Sequence, residues 1–373
     1  MDESATIAQN YYPEHLANFL TKNEILLQFS SMYNEELSNP IRTNKVNGQD
    51  HVELFLSSDV FYYFRLSSVT YDDPINYVQF DPPGACDVRV VAYDGAYRSE
   101  IPGHQSFQKH MMTVGSRSDL AVSCNKHVEI HFHQGTMTNH SKLVTIHVDE
   151  SRELLSTGNI PTSIHIPAVL PSSPYWDPET ELTWNPRRPY YMPDLAAASS
   201  FVDEYWSVSL DDYFVNGTHG HLINQRKWDP NQSIRTFTLG QLVEYPILNS
   251  HKHPYHTHIN RMQIVEPGGC GERFEEGEYF DTIAQTDETA GGGCRVRTKF
   301  FDFGGRVVIH CHRFEHEDHG MMTVSIIWYL VIIASMHSSD FSQFSIFVCL
   351  NCTVGRRYRR RRSCNKGSSC NDL

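Results

Sequence analysis

Basic residues are scarce in this sequence, and the shortage limits the partners it can have. The 373 residues include 31 lysines and arginines against 44 aspartates and glutamates, a net charge of −13 at pH 7. Nucleic acids bind basic surfaces that neutralise their phosphates, so we expect no nucleic acid partner. The one strongly basic stretch, residues 356–362, lies near the C-terminus, and we interpret it as a solvated tail.

The sequence also has few long apolar runs. Residues 1–16 contain no basic segment followed by an apolar core, so we do not expect them to form a signal peptide. After Met322 about a dozen apolar residues follow one another, whereas a membrane-spanning helix needs roughly 20. For residues 324–373 we therefore expect a closing strand and then a disordered or aberrant tail. Membrane contact by this segment is the less favoured alternative.

Cysteine is too rare for a scaffold built on disulfides, since only nine occur in the chain. Two pairs are nevertheless candidates for bridges, Cys86 with Cys124 and Cys270 with Cys294. The second pair flanks an insertion rich in glycine and glutamate. Connectivity does not follow from sequence, so both pairings stay open possibilities.

Long helical periodicities are few, whereas aromatic and β-branched residues are plentiful. Together with 22 glycines and 18 prolines, this composition favours short strands joined by turns. Strand-like runs fill residues 41–150 and again residues 205–323. Residues 151–204 are rich in proline, which central strands exclude, and we interpret them as a linker. We predict an all-β protein with two β-sandwich domains.

Two histidine-rich segments carry the chemistry, and both fall in or beside predicted strands. Alternate residues of a strand point to opposite faces. His310 and His312 therefore share one face, and Cys311 points to the other. In the earlier segment His256 and His258 share a face, and His253, three residues back, takes the opposite one.

This alternation predicts two separate sets of side chains. The first consists of His253 and Cys311, joined by His316 and Met321 from the following loop. The second consists of the four histidines His256, His258, His310 and His312. A thiolate, two imidazoles and a weak axial thioether are the ligands of a blue-copper site. A structural zinc site has no use for the methionine. The four-imidazole set suits further copper but would also accept zinc or iron.

The sequence HPYHTH followed by HCHRFEHEDHGMM resembles the copper-binding motifs of multicopper oxidases, particularly the bacterial copper-efflux type. Residues 214–217 (FVNG) and 301–304 (FDFG) agree with the surroundings of these motifs. Residues 63–66, 92–95 and 114–122 look like the second domain of the family. The resemblance covers roughly residues 40 to 323. It implies two Greek-key cupredoxin domains.

The resemblance also implies roles for individual residues. His253, Cys311, His316 and Met321 would bind the mononuclear copper. His256 would bind the single copper of a trinuclear cluster, and His258, His310 and His312 would bind its coupled pair. A phenol, an aromatic amine or a metal ion would give electrons at His316, and Cys311 would carry them to the cluster, where dioxygen becomes water. Glu317 matches an acid that supplies protons there.

The sequence departs from the family at its C-terminal end, described above, and also in its first domain. A complete cluster takes eight histidines, and the family's first domain, which supplies four, has no counterpart here. Residues 1–40 would be the remnant of that domain, with the stretch Glu24–Tyr33 as its end. A partner chain is one possible source of the missing ligands. The alternative is an electron-transfer protein without dioxygen chemistry. Family resemblance suggests secretion or export.

Two further histidine pairs have the same spacing as the ligand motifs. His131-Phe-His133 and His219-Gly-His221 do not lie where the family places its ligands. We interpret the first as a polar strand edge and the second as a loop.

Overall fold

The computed structural model describes residues 24–33, 42–58, 60–71, 74–98, 109–134, 140–149, 192–197, 201–215, 218–271, 273–286, 293–301 and 303–328. The greater part of the expected linker and the tail beyond Trp328 lie outside these residues. Within them, the prediction of an all-β protein with two β-sandwiches is confirmed.

The first sandwich contains two sheets. Its strands are β1 (Glu24–Tyr33), β2 (Arg42–Val46), β3 (Val52–Ser57), β4 (Tyr62–Val69), β5 (Ile75–Asp81), β6 (Cys86–Tyr93), β7 (Ala96–Tyr97), β8 (His110–Thr113), β9 (Arg117–Cys124), β10 (Val128–Gln134) and β11 (His140–Asp149). One sheet has the order β2-β1-β4-β9-β6-β7 and the other β3-β11-β10-β5-β8. The alternation of β5 shows why these sheets face each other, since Val78 and Phe80 are buried. Between the sheets, the rings of Phe29 and Phe132 stack with centroids 5.0 Å apart.

The second sandwich also contains two sheets. Its strands are β12 (Glu204–Tyr205), β13 (Val208–Val215), β14 (Thr218–Ile223), β15 (Arg235–Thr238), β16 (Leu242–Leu248), β17 (Tyr255–Thr257), β18 (Met262–Glu266), β19 (Tyr279–Phe280), β20 (Thr282–Ile283), β21 (Cys294–Lys299), β22 (Gly305–Cys311) and β23 (Met322–Trp328). One sheet has the order β14-β13-β16-β21-β18-β19, with β12 beside β16, and the other β15-β23-β22-β17-β20. A 3-10 turn (Gly268–Cys270) and a short helix α1 (Phe314–Asp318) connect strands.

The sandwich boundaries differ from those expected from the sequence. Strand β1 was expected to end a first domain, but it pairs parallel with β4 and antiparallel with β2. By these pairings it belongs to the first sandwich, which therefore includes residue 24 onward. The second sandwich extends beyond residue 323, because β23 pairs with β15 and β22. The expected closing strand is thus present through Trp328.

Both candidate disulfides are formed. Cys86 and Cys124 are directly opposite each other on β6 and β9, with an S–S distance of 2.07 Å. Cys270 is bonded to Cys294. Cys311 is the remaining cysteine among the described residues, and it is a buried free thiol. No helix in the described part of the chain has the length and apolarity to span a membrane.

The two sandwiches contact each other through charged side chains. Arg98 of the first forms a buried ion pair with Glu278 of the second. Arg117 donates to Asp281 Oδ1 from Nη1 at 2.9 Å, and a second bond links the same two side chains. These contacts place the turn between β8 and β9 beside the histidines described next.

Candidate metal centre

Strands β17 and β22 are neighbours, and their register brings the two histidine segments together. Tyr255 pairs with Cys311 and His256 pairs with His310. Because alternate residues point to opposite faces, the imidazoles lie on one side of this ladder and the thiol on the other. The backbone N–H of His312 donates to the carbonyl of Pro254 at 2.7 Å, which continues the contact past the strand end.

On the thiol side three predicted residues converge. Nδ1 of His253 lies 2.8 Å from Nδ1 of His316, and Sγ of Cys311 lies 3.8 Å from the same His316 nitrogen. All three side chains are buried. On the outer edge of His253, Nε2 lies 3.3 Å from Asp212 Oδ2. A carboxylate on the far nitrogen orients an imidazole whose other nitrogen binds a metal.

The segment from Cys311 to Met321 is held by its own backbone. The expected loop contains the helix α1, which carries His316. The N–H of Met321 donates to the His316 carbonyl at 2.8 Å, and the N–H of Cys311 donates to the Met321 carbonyl at 3.0 Å. Met321 is fully buried. We call His253, Cys311, His316 and Met321 the mononuclear centre.

On the opposite side the four predicted histidines form a second group. Nε2 of His258 lies 3.2 Å from Nε2 of His310, and the ring centroids of His256 and His312 are 4.9 Å apart. The outer nitrogens have backbone partners: His256 Nδ1 lies 2.9 Å from the Asp281 carbonyl, and His310 Nδ1 lies 2.9 Å from the Cys311 carbonyl. The inner nitrogens therefore face one another. We call this group the four-histidine face.

Burial favours the uncharged forms of the histidines and of the cysteine in these two sets. It lowers the pKa of His253, His310 and His312 to about 4 and that of His316 to about 2. A neutral imidazole offers a lone pair to a metal. Burial also raises the pKa of the Cys311 thiol to about 12, so binding of a metal there would release its proton.

Residues 187–327 match the family profile described as multicopper oxidase. This part of the chain is therefore similar to multicopper oxidases. No curated protein sequence is significantly similar to the chain.

Solved multicopper oxidases have the same cupredoxin-like fold. The CueO laccase-like enzyme of Ochrobactrum sp. is 15% identical with a TM-score of 0.60, covering 82% of this chain and 67% of that one. The Campylobacter jejuni enzyme, described as a metallo-oxidase, is 15% identical with a TM-score of 0.56, covering 85% of this chain and 70% of that one. Fet3p, described as functioning in iron import, is 15% identical with a TM-score of 0.55, covering 82% of this chain and 66% of that one. This chain therefore spans about two thirds of their lengths.

The donor atoms fit the copper ions that characterise this family. His253, His316 and Cys311 bring two imidazole nitrogens and a thiol together, and Met321, which is buried and bonded to this segment through its backbone, would add the thioether of the blue-copper donor set. On the four-histidine face, Nδ1 of His312 is buried without a hydrogen-bond partner among the described residues. A buried polar nitrogen is normally satisfied, and a metal ion is one way to satisfy it.

Glu317 lies on α1 with its carboxylate turned toward the four-histidine face. Its Oε2 is 3.3 Å from Nδ1 of His310. Burial and the neighbouring Asp318 raise the pKa of Glu317. A carboxyl that retains its proton more readily is suited to proton delivery.

The first sandwich contacts the four-histidine face through the turn between β8 and β9. The backbone of Gly115 comes so close to His312 that a Cβ atom there would lie 2.2 Å from the ring. Asp281, which is paired with Arg117, places Oδ1 3.5 Å from His256 Nδ1. Burial alone would raise the pKa of Asp281, but hydrogen bonds from His256 and Arg117 hold it below the ordinary value.

Two residues beside the mononuclear centre were missed by the sequence interpretation. His219 and His221 lie on strand β14 and not on a loop. The ring of His221 stacks on that of His316 with centroids 4.0 Å apart. Asp212 pairs with His221 across the β13–β14 hairpin. The Asn-Gly dipeptide at 216–217 is a hairpin signal, and counting outward from it would have placed Asp212 opposite His221.

The other histidine pair was also misplaced. His131 and His133 lie on β10, which has β11 on one side and β5 on the other and is therefore not a sheet edge. Within the described residues, neither takes part in a metal-competent group.

Proposed function

We propose that the chain is a copper-dependent oxidoreductase whose mononuclear centre accepts single electrons from a reducing substrate. The convergence of His253, Cys311 and His316 at the distances given above supports this most directly. Copper held by these donors would supply a one-electron acceptor whose potential the protein sets. The buried thiol distinguishes this site from an ordinary histidine site for zinc.

The chain's own residues prepare this site for the reaction. Burial of His253 and Cys311 excludes water, and Asp212 orients the His253 ring. The ring of His221 stacks on that of His316, and the neighbouring Asp212 and His219 are exposed, so these side chains connect the buried pair to the surface. Because Cys311 is covalently bonded between His310 and His312, the mononuclear centre is joined to the four-histidine face by the shortest possible backbone path.

We further propose that the four-histidine face is half of a dioxygen-reducing cluster. His256 would bind the single copper, and His258, His310 and His312 would bind the coupled pair. The remaining ligands would come from another cupredoxin domain, either of a longer form of this protein or of a partner chain. Glu317 would hold a proton within reach of this cluster.

The alternative is an electron-transfer protein. It is favoured by the ligand count, because the described residues bring only four imidazoles to the proposed cluster. In that case electrons would enter and leave through the mononuclear centre, and no dioxygen would be consumed.

Export of the protein is a related proposal. Two disulfides join strands or loops of the sandwiches. Such bonds persist mainly in oxidising compartments, which is the environment of secreted or periplasmic proteins. Thiol counting on protein isolated from its native cells checks this, and six or more reactive thiols after denaturation would contradict it.

Oxygen uptake decides between the oxidase and the electron carrier. The copper-loaded chain is reduced under anaerobic conditions by a hydroquinone or by ferrous ion, and dioxygen is then admitted. The oxidase proposal expects uptake that depends on Cys311 and on His258, at least when a domain carrying the missing histidines is added. Reduction of the protein without any uptake, with that domain present, would overturn the oxidase proposal and support the carrier.

A further inference from the structure

A second group of metal-binding side chains lies on the hairpin of β13 and β14. It consists of Asp212, His219 and His221, which we call the hairpin cluster. Nδ1 of His221 is 2.7 Å from Asp212 Oδ1, and Nε2 of His219 is 3.7 Å from the same oxygen. One ligand atom from each of the three residues lies within 4.8 Å of the others. These separations are short enough for one ion to contact all three.

The cluster spans the distance from the surface to the mononuclear centre. The side chains of His219 and Asp212 are 54% and 38% exposed, whereas that of His221 is 2% exposed. An ion can therefore reach the outer two residues from solvent. The inner residue stacks on His316, and the centroid of the His319 ring lies 6.1 Å from that of His221.

We propose that the hairpin cluster binds a divalent first-row transition-metal ion, distinct from the copper ions of the family. Two imidazoles and a carboxylate match the preferences of zinc, cobalt(II) and iron(II), and they leave coordination positions open to water. The hairpin register supports the site, because Asp212 and His221 are held opposite each other whether or not an ion is bound.

Asp212 belongs to both metal environments. Its Oδ1 faces His221, and its Oδ2 lies 3.3 Å from His253 Nε2. An ion bound at Asp212 would neutralise the negative charge beside His253 and add positive charge near His316. Like charges repel, and the added cation would be repelled more strongly by copper(II) than by copper(I) in the mononuclear centre. The added cation therefore favours the reduced state of that centre. This consequence, unlike the binding itself, rests on the proposed function.

Zinc titration of the metal-free protein tests the binding. Calorimetry compares the parent chain, His219→Gln, Cys311→Ser and the double variant, with His127→Gln as an exposed-histidine control. We expect His219→Gln to remove or weaken one zinc-binding event by at least 10-fold, in the presence and in the absence of the Cys311 thiol, since losing a ligand costs at least as much as losing an outer partner. His127→Gln should change nothing. The exposure of His219 makes this substitution compatible with folding, which thermal melting confirms.

Two results would overturn the proposal. Zinc binding that is identical in the parent and in His219→Gln would show that the hairpin cluster holds no ion. Loss of the event with Cys311→Ser but not with His219→Gln would place the ion at the mononuclear centre instead. Neither zinc titration requires copper-loaded protein, so the test remains valid even if the chain proves not to be a copper-dependent oxidoreductase. In copper-loaded protein, zinc should also raise the reduction potential of the parent but not that of His219→Gln.

Discussion

The orientation of each imidazole depends on what its second nitrogen contacts. His256 and His310 bond to backbone carbonyls, and His253 faces a carboxylate. Each ring therefore presents its other nitrogen inward. Strand alternation predicted which residues share a face, because the parity of positions 310 to 312 is a property of any regular strand. It did not predict these second partners, since Asp281 and Asp212 are distant in sequence.

A buried histidine of strand β8, His110, predicts a pH dependence of stability. Burial and the charge of Arg273 lower the pKa of His110 to about 3. An unfolded histidine titrates near 6.5, so between these values the unfolded chain binds a proton that the folded chain does not. The contribution is therefore intact above pH 6.5 and is lost, at about 1.4 kcal/mol per pH unit, as the pH falls toward 3.

His110→Gln removes this titration. We expect its free energy of unfolding, measured by urea denaturation between pH 7 and pH 4.5, to fall less steeply than that of the parent by about 1.4 kcal/mol per pH unit. His127→Gln, which alters an exposed histidine, should keep the parent's slope. Parallel curves for the parent and His110→Gln would contradict the assignment.

At the scale of elements, short connections position the site more than the strands do. The sequence predicted the two sandwiches correctly, because strands follow from local patterning. The sequence interpretation placed the segment after Cys311 in a loop, where the structure has helix α1. It also placed residues 219–221 in a loop, where the structure has strand β14. Helix α1 is only five residues long, so it has too few turns to show a helical period. Strand β14 carries polar residues that obscure its alternation.

The turn between β8 and β9 is the element that contacts the four-histidine face, and Gly115 lies at its tip. Gly115 has φ +81°, and a Cβ there would collide with the ring of His312. Gly115→Ala should therefore displace His312 and weaken metal binding on that face by about 10-fold to 100-fold, as changes beside metal ligands typically do. Equilibrium dialysis against copper measures the loss.

Gly84→Ala is the matched control for this substitution. Gly84 has φ +74° and no atom within 4 Å of the position of its Cβ, so it shares the backbone strain without the collision. The control should lose about 1–2 kcal/mol of stability, the cost of the left-handed conformation for an L-residue, and bind copper normally. Equal copper binding by both variants would show that Gly115 does not position His312.

At the scale of the whole molecule, the metal centre depends on how the two sandwiches dock. Domain boundaries were the weakest part of the sequence prediction, because β1 pairs with a strand that follows it by some forty residues. Composition shows where prolines accumulate, but it does not show which sheet a strand such as β1 joins. The contacts between sandwiches were equally hidden, since they join single charged residues separated by long stretches of chain.

Arg117→Gln tests this docking. The substitution leaves Asp281 without its charged partner and should lower the free energy of unfolding by about 2 kcal/mol, the usual value of hydrogen bonds to charged groups. Copper binding by His256 should weaken as well, because Asp281 contacts that ring. Arg89→Gln, which breaks a pair with Asp87 within the first sandwich, should affect stability alone. Identical copper binding by the Arg117 and Arg89 variants would contradict the link.

Visible absorption of the copper-loaded chain shows whether one thiolate and two imidazoles hold a single copper ion. Charge transfer from a cysteine thiolate to copper(II) gives an intense blue colour. We predict a blue protein, loss of the colour in Cys311→Ser, and retention of the colour in His258→Gln, which alters only the four-histidine face. A chain that binds copper(II) and stays colourless, or a Cys311→Ser variant that remains blue, would contradict the account.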